Sequence, residues 1–164
     1  MKLSLIAAIS IDGFMADRNV VGWSSEEDRA FFIEETKRVG AVITGRINFD
    51  TFPGPLEQRY NVVMTRNPQP SAESVWYTDA SPEEVIADLE AKGYTGASVI
   101  GGAQINTLYM ESGLVTDLYL TLRPYLYGKG IPLFADMNNQ YTTELISSKP
   151  LGPGEILNHY KVIS

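Results

Sequence analysis

Cysteine is absent from the 164 residues, which removes disulfide scaffolding, thiol nucleophiles and thiolate metal sites together. Histidine occurs once, at His159, so a multi-histidine metal centre is excluded and no metal is expected. A basic surplus is also missing. Thirteen Lys and Arg face twenty Asp and Glu, a net charge of −7, whereas nucleic-acid binding depends on a basic face that releases counterions from phosphates. No apolar run is long enough to cross a bilayer, and Met1-Lys2-Leu3 leads directly into a strand pattern without a small-residue cleavage site. The expectation is a cytoplasmic protein with neither nucleic acid nor membrane as partner. Carboxylates, hydroxyls and a bound cofactor are what remain for chemistry.

The length suits one ordinary domain, 1–164, and no repeat, low-complexity stretch or long linker divides it. Residues 3–11 form a mostly apolar run closed by Asp12-Gly13, the pattern of a central strand buried on both faces. Similar runs recur at 41–44, 60–65, 97–100 and 118–122, with helical patterns at 25–38, 81–92 and 103–112 between most of them. Such alternation implies crossover units, hence an α/β fold with a mostly parallel sheet and helices on its faces. Ser81-Pro82-Glu83-Glu84 carries a helix start: serine caps, proline suits the first turn, and carboxylates favour the positive end of the dipole. At the end of the chain, 141–147 and 155–163 read as strands joined through Pro150-Leu151-Gly152-Pro153-Gly154, an antiparallel edge.

Within 25–38, Asp28, Phe31, Phe32, Glu35, Thr36 and Val39 share one helical face. A carboxylate held against aromatic walls loses hydration, which favours its proton-carrying form and suits it to acid catalysis. Ser25-Glu26-Glu27-Asp28 is equally a capping sequence, with Asp28 satisfying the helix start. Gly101-Gly102-Ala103 follows a strand and opens a helix, either as a tight turn or as bare amides that admit a pyrophosphate. Gly45-Arg46 and Thr65-Arg66-Asn67 follow two other strands. Arginines at strand ends are solvated surface charges or a site for a phosphate monoester. Trp23 is by default a staple on the first helical turn, and His159 carries no functional assignment.

Taken in order and spacing, these motifs resemble the dihydrofolate reductase family over almost the whole chain. Ser4-Leu5-Ile6-Ala7-Ala8 followed by Asp12 looks like that family's first strand, and Trp23 precedes Asp28 at the family's spacing. Val42-Ile43-Thr44-Gly45-Arg46, Pro55-Leu56-Glu57-Gln58-Arg59-Tyr60-Asn61-Val62-Val63, Val99-Ile100-Gly101-Gly102-Ala103 and Tyr119-Leu120-Thr121 continue the likeness. It implies a three-layer sandwich with an antiparallel C-terminal hairpin strand, and an NADPH-dependent oxidoreductase that reduces 7,8-dihydrofolate. Asp28, Thr121 and Trp23 are then catalytic. Ala8, Phe32, Phe52, Leu56, Arg59 and Ile100 meet the substrate, with Arg59 clamping the folate carboxylate. Ala7 of the first strand borders nicotinamide, as do Met15 and Ala16 within a closing loop over 12–22. Gly45, Arg46, Ile47, Asn48, Thr65 and Arg66 are assigned to the cofactor, as are Gly101, Gly102, Ala103, Gln104 and Ile105.

Ser10-Ile11-Asp12-Gly13-Phe14-Met15-Ala16, Gly113-Leu114-Val115-Thr116-Asp117-Leu118 and the stretch from Pro124 to Phe134 resemble instead the reductase domain of riboflavin biosynthesis. That relative shares the fold and acts on a phosphoribosylaminopyrimidine. Asn106 stands where many dihydrofolate reductases have a tyrosine, and Arg29 replaces an apolar wall residue. A noncatalytic nucleotide-binding domain is the alternative of another class. Monomer and homodimer both stay open, with 118–126 a candidate strand for a dimer edge.

Overall fold

The computed structural model describes residues 1–16 and 25–164. The first half runs β1 (Lys2–Ile9), β2 (Phe14–Ala16), α1 (Glu26–Val39), β3 (Ala41–Gly45), α2 (Arg46–Phe49), β4 (Tyr60–Met64) and β5 (Val75–Thr78). The second runs α3 (Pro82–Ala91), β6 (Gly96–Val99), α4 (Ala103–Glu111), β7 (Asp117–Leu122), β8 (Ile131–Pro132), β9 (Thr143–Pro150) and β10 (Ile156–Val162). Eight strands form one sheet in the order β5-β4-β3-β6-β1-β7-β10-β9, parallel from β5 to β7 and antiparallel through β10 and β9. β2 and β8 pair outside it.

Strand alternation sorts the sheet's side chains into two packed faces. Leu3, Leu5, Ile43, Val62, Ala97 and Val99 join Val85 and Leu89 of α3 and Tyr109 and Met110 of α4 in one apolar cluster. The other face carries Tyr119 and Thr121, which meet α1 at Phe31 and Asp28. Helices therefore cover both faces, and β1 is central, with Leu3, Ser4, Leu5 and Ile6 all buried.

Local signals explain the helix ends. Ser25 caps α1, its Oγ accepting from Asp28 N at 2.9 Å, and Gly40 ends the helix at φ 81, where its N–H reaches Thr36 O. Ser81 and Glu84 form a reciprocal capping box at α3.

Three expectations change. The first strand stops at Ile9, because Ser10 turns the chain: its Oγ accepts from Phe14 N at 3.0 Å and donates to Asp12 Oδ1 at 2.6 Å. The short β2, α2, β5 and β8 carry no clear period at their lengths, and the patterns passed over them. The dimer-edge suggestion for 118–126 fails at its strand portion, since β7 is hydrogen-bonded on both sides, to β1 and to β10.

At the start of β7, Asp117 receives hydrogen bonds from Thr116 at 2.7 Å, shares a 2.6 Å contact with His159 Nε2, and lies 3.1 Å from Lys2 Nζ. Burial pushes its carboxyl up, but these hydrogen bonds and the Lys2 charge outweigh that and hold it below its ordinary value of 3.8. A carboxyl depressed on folding contributes stability above its unfolded value, and the contribution is lost as pH falls through the folded value. Urea unfolding should therefore show stability dropping below about pH 4, with a shallower drop in Asp117→Asn. Identical acid limbs in the two proteins would remove Asp117 as a cause.

Candidate active site

Parallel pairing puts the C-terminal ends of β1, β3, β4, β6 and β7 at one edge of the sheet, where open α/β sheets bind ligands. A cleft of about 1840 Å³ opens there. Of the residues assigned to substrate, Ala8, Phe32, Phe52, Leu56, Arg59 and Ile100 all line it.

Asp28 is 7% exposed and accepts a hydrogen bond from Thr121 Oγ1 at 2.6 Å. Thr121 is itself 2% exposed, lies 93 residues away in sequence, and is brought alongside by the Ala8–Thr121 register of β1 and β7. Ser25 supplies the side-chain cap to α1, so the Asp28 carboxylate can reach across to the sheet. Further along α1, at Thr36, stands Arg59, 9% exposed, with Nη1 donating to Thr36 Oγ1 and Nε to Glu57 O, both at 2.9 Å. Burial lowers its pKa, and the Glu57 charge offsets part of that. Among the described residues Arg59 forms no carboxylate ion pair. A guanidinium in a cleft with donor capacity to spare is a receptor for an anionic ligand group.

The other end of the cleft is a glycine cradle. Gly101 takes φ +99, open to glycine at little cost, and a Cβ on Gly102 would meet nothing within 4 Å. Gly102 caps α4 without a side-chain bond, so the turn presents bare backbone to the cleft. At Gly45 a Cβ would lie 3.0 Å from Ile105 Cγ1, so glycine lets the end of β3 approach α4. Ala103, Gln104 and Ile105 line the cleft from α4, and Arg46, Ile47, Thr65 and Arg66 line it from the ends of β3 and β4. Arg46 Nε lies 3.4 Å from Asp50 Oδ2, while Arg66 is exposed.

Asn48 also lines the cleft, but its amide is engaged as a brace: Nδ2 donates to Thr44 Oγ1 and to Ile100 O, both at 3.0 Å. Asn48→Ala should leave those acceptors unpaired and loosen the glycine turn, weakening nucleotide binding by about tenfold, from a hydrogen-bonding loss on the order of 1 kcal/mol. Calorimetric titration measures this, and an unchanged Kd would show that the turn holds without the brace.

Ala7, Met15 and Ala16 face the same space. Trp23 and the rest of the expected closing loop, 17–22, lie outside the described residues. The start of that loop is fixed by Asp12, whose carboxylate accepts from Ser10 Oγ and from the N–H groups of Tyr127 at 3.1 Å and Gly128 at 2.7 Å. The Ser10 and Gly128 bonds hold its pKa below the ordinary value.

Sequence reasoning missed Arg123. It is buried, lines the cleft and donates from Nη2 to Met15 O at 2.7 Å. Its position two residues beyond Thr121, hence on the same strand face, was the available signal. Asn106 is fully buried, with Nδ2 donating to Leu133 O at 2.9 Å and lying 3.6 Å from Met15 Sδ.

The dihydrofolate reductase family model matches residues 2–124. The chain belongs to the dihydrofolate reductase family. Dihydrofolate reductase type 3 of Salmonella typhimurium is 36% identical over 123 residues, covering 74% of this chain and 71% of that one. Among solved structures, dihydrofolate reductase from Enterococcus faecalis complexed with NADP(H) and RAB-propyl superposes with a TM-score of 0.79 at 24% identity, covering 99% and 97% of the two chains. A putative riboflavin biosynthesis protein from Shewanella sp. PV-4 gives 0.79 at 23% identity and covers all of both chains. At those identities the structural likenesses show the fold alone. Membership of the family makes the protein an NADPH-dependent oxidoreductase, and the glycine cradle, open at Gly102 and flanked by arginines, fits that cofactor.

Proposed function

We propose that the protein reduces 7,8-dihydrofolate to tetrahydrofolate, and the observation that carries this is the Thr121–Asp28 bond facing the same cleft as Arg59. NADPH, held by the glycine turn at 101–102 and by Arg46, Thr65 and Arg66, supplies a hydride when bound. Asp28 and Thr121 orient the pterin ring, with the carboxylate favouring the protonated form of N5 as C6 accepts the hydride. Phe32, Phe52, Leu56 and Ile100 give the ring apolar walls, and Arg59 takes the carboxylate of the glutamate tail. Ala7, Met15 and Ala16 border the nicotinamide end and exclude water from the reacting atoms; Trp23 is assigned to catalysis by the family resemblance alone.

A second reading, reduction of a phosphoribosylaminopyrimidine, draws on the chain beyond residue 124. The family model ends there, yet β8 lies in that stretch and pairs with β2 beside the cleft. Steady-state NADPH oxidation by the purified chain, measured with each substrate in turn, separates the two. Turnover with dihydrofolate supports the first reading, turnover with the pyrimidine alone supports the second, and nucleotide binding without turnover of either would leave a noncatalytic domain.

A further inference from the structure

Arg123 is a buried cation lining the cleft. Glu155, buried as well and with Oε2 lacking a hydrogen-bond partner, stands opposite it where the β7–β10 register continues past Leu122 and Ile156, without forming an ion pair with it. Its backbone N–H extends the β1–β7 ladder to Ile9 O at 2.8 Å, and alternation puts its side chain on the face that carries Tyr119 and Thr121. The residue therefore stands one strand step, about 7 Å, beyond Thr121 toward the cleft mouth. It is 5% exposed. Nη2 donates to Met15 O at 2.7 Å, the guanidinium carbon lies 5.5 Å from the centroid of the Tyr127 ring, and Nε has no hydrogen-bond partner. Among the described residues no carboxylate pairs with it.

Burying a guanidinium is costly unless its charge is compensated, and one carbonyl and one ring face compensate it only in part. As a brace for Met15, a neutral donor would serve at lower cost. The charge itself acts on whatever lies under Met15 and Ala16, which in the NADPH-reductase reading is the nicotinamide ring. That ring is neutral when reduced and carries a positive charge when oxidised.

We propose that Arg123 makes the cleft distinguish the two oxidation states of its cofactor, weakening the hold on the oxidised, cationic ring while its hydrogen bond keeps Met15 in place. The inference rests on the NADPH-reductase reading, though not on which substrate is reduced. One unit charge acting on another across a partly desolvated cleft changes binding on the order of tenfold. Asp28, on the same sheet face through Thr121, and Glu155, opposite Arg123 across β7 and β10, pull a cation the other way, so the preference attributable to Arg123 is read from variants of Arg123 alone.

The test is calorimetric titration of the full chain with NADPH and, separately, with NADP+, no second substrate being present. Arg123→Gln keeps a donor for Met15 O but loses the charge; it should narrow the ratio of the two dissociation constants by about tenfold, chiefly by tightening NADP+. Arg123→Lys keeps the charge and should keep the ratio near that of the wild type. Should the glutamine variant fail to fold, Arg123→Met removes the same charge with a more apolar stem. An unchanged ratio in the charge-loss variant, with both nucleotides weakened alike, would overturn the inference and leave Arg123 a brace. Failure of the wild-type chain to bind either nucleotide would overturn the reductase reading itself.

Discussion

Turnover of dihydrofolate at neutral pH should fall by about two to three orders of magnitude in Asp28→Asn, with NADPH binding preserved. Asparagine is nearly isosteric and keeps a carbonyl oxygen to accept the 2.6 Å hydrogen bond from Thr121 Oγ1, so the junction between α1 and β7 survives. The negative charge that favours a protonated ring nitrogen is lost. Lowering the pH should restore part of the rate, because substrate already protonated in solution then enters the cleft. The cost to folding is small: Ser25 caps the helix, and removing one acidic charge from the first turn of α1 forfeits about 0.3–1 kcal/mol of dipole interaction. A pH–rate profile of the variant alongside its thermal melt checks both halves. Unchanged turnover with a lowered melting temperature would return Asp28 to the capping role that its sequence context also allows.

For Arg59→Ala the expected result is a rise of about 10- to 100-fold in KM for dihydrofolate, with Kd for NADPH nearly unmoved. The range follows from losing a charge-assisted contact worth about 1.5–3 kcal/mol. Stability should change little, because two effects oppose each other. Relief from burying a guanidinium offsets the acceptors left behind at Thr36 Oγ1 and Glu57 O. Arg59→Lys keeps the charge without the planar fork and should recover only part of the affinity. Steady-state kinetics with calorimetric binding of the cofactor decide the matter. Equal loss of both ligands would place Arg59 in the architecture of the cleft as a whole, and an unchanged KM would leave it without a substrate role.

The elements legible in the sequence were those long enough to show a period or bearing an end signal. The α1 helix announced itself through the spacing of Asp28, Phe31, Phe32 and Glu35, and α3 through Ser81-Pro82-Glu83-Glu84. β2 and β8, at three and two residues, are too short for any period, yet both reach the cleft, β2 with Met15 and Ala16 and β8 with Ile131. Gly101 and Gly102 looked like a turn or a phosphate cradle, and the open space beside Gly102 suits the cradle. Asn48, assigned to the cofactor, lines the cleft and also braces that turn.

Local physics, then, set the alternation of strands and helices, the helix caps, the glycine turn and the helical face that carries Asp28, because each depends on residues a few positions apart. Tertiary structure decided which groups meet. The order β5-β4-β3-β6-β1-β7-β10-β9 is not that of the chain, so the partner of Asp28 arrives from 93 residues away and the anchor for Met15 from 108. Periodicity assigns a side chain to a face but is silent about the neighbour opposite. For that reason the helical face of Asp28 could be read from the sequence, while the hold of buried Arg123 on Met15 became visible only once β1 and β7 lay side by side.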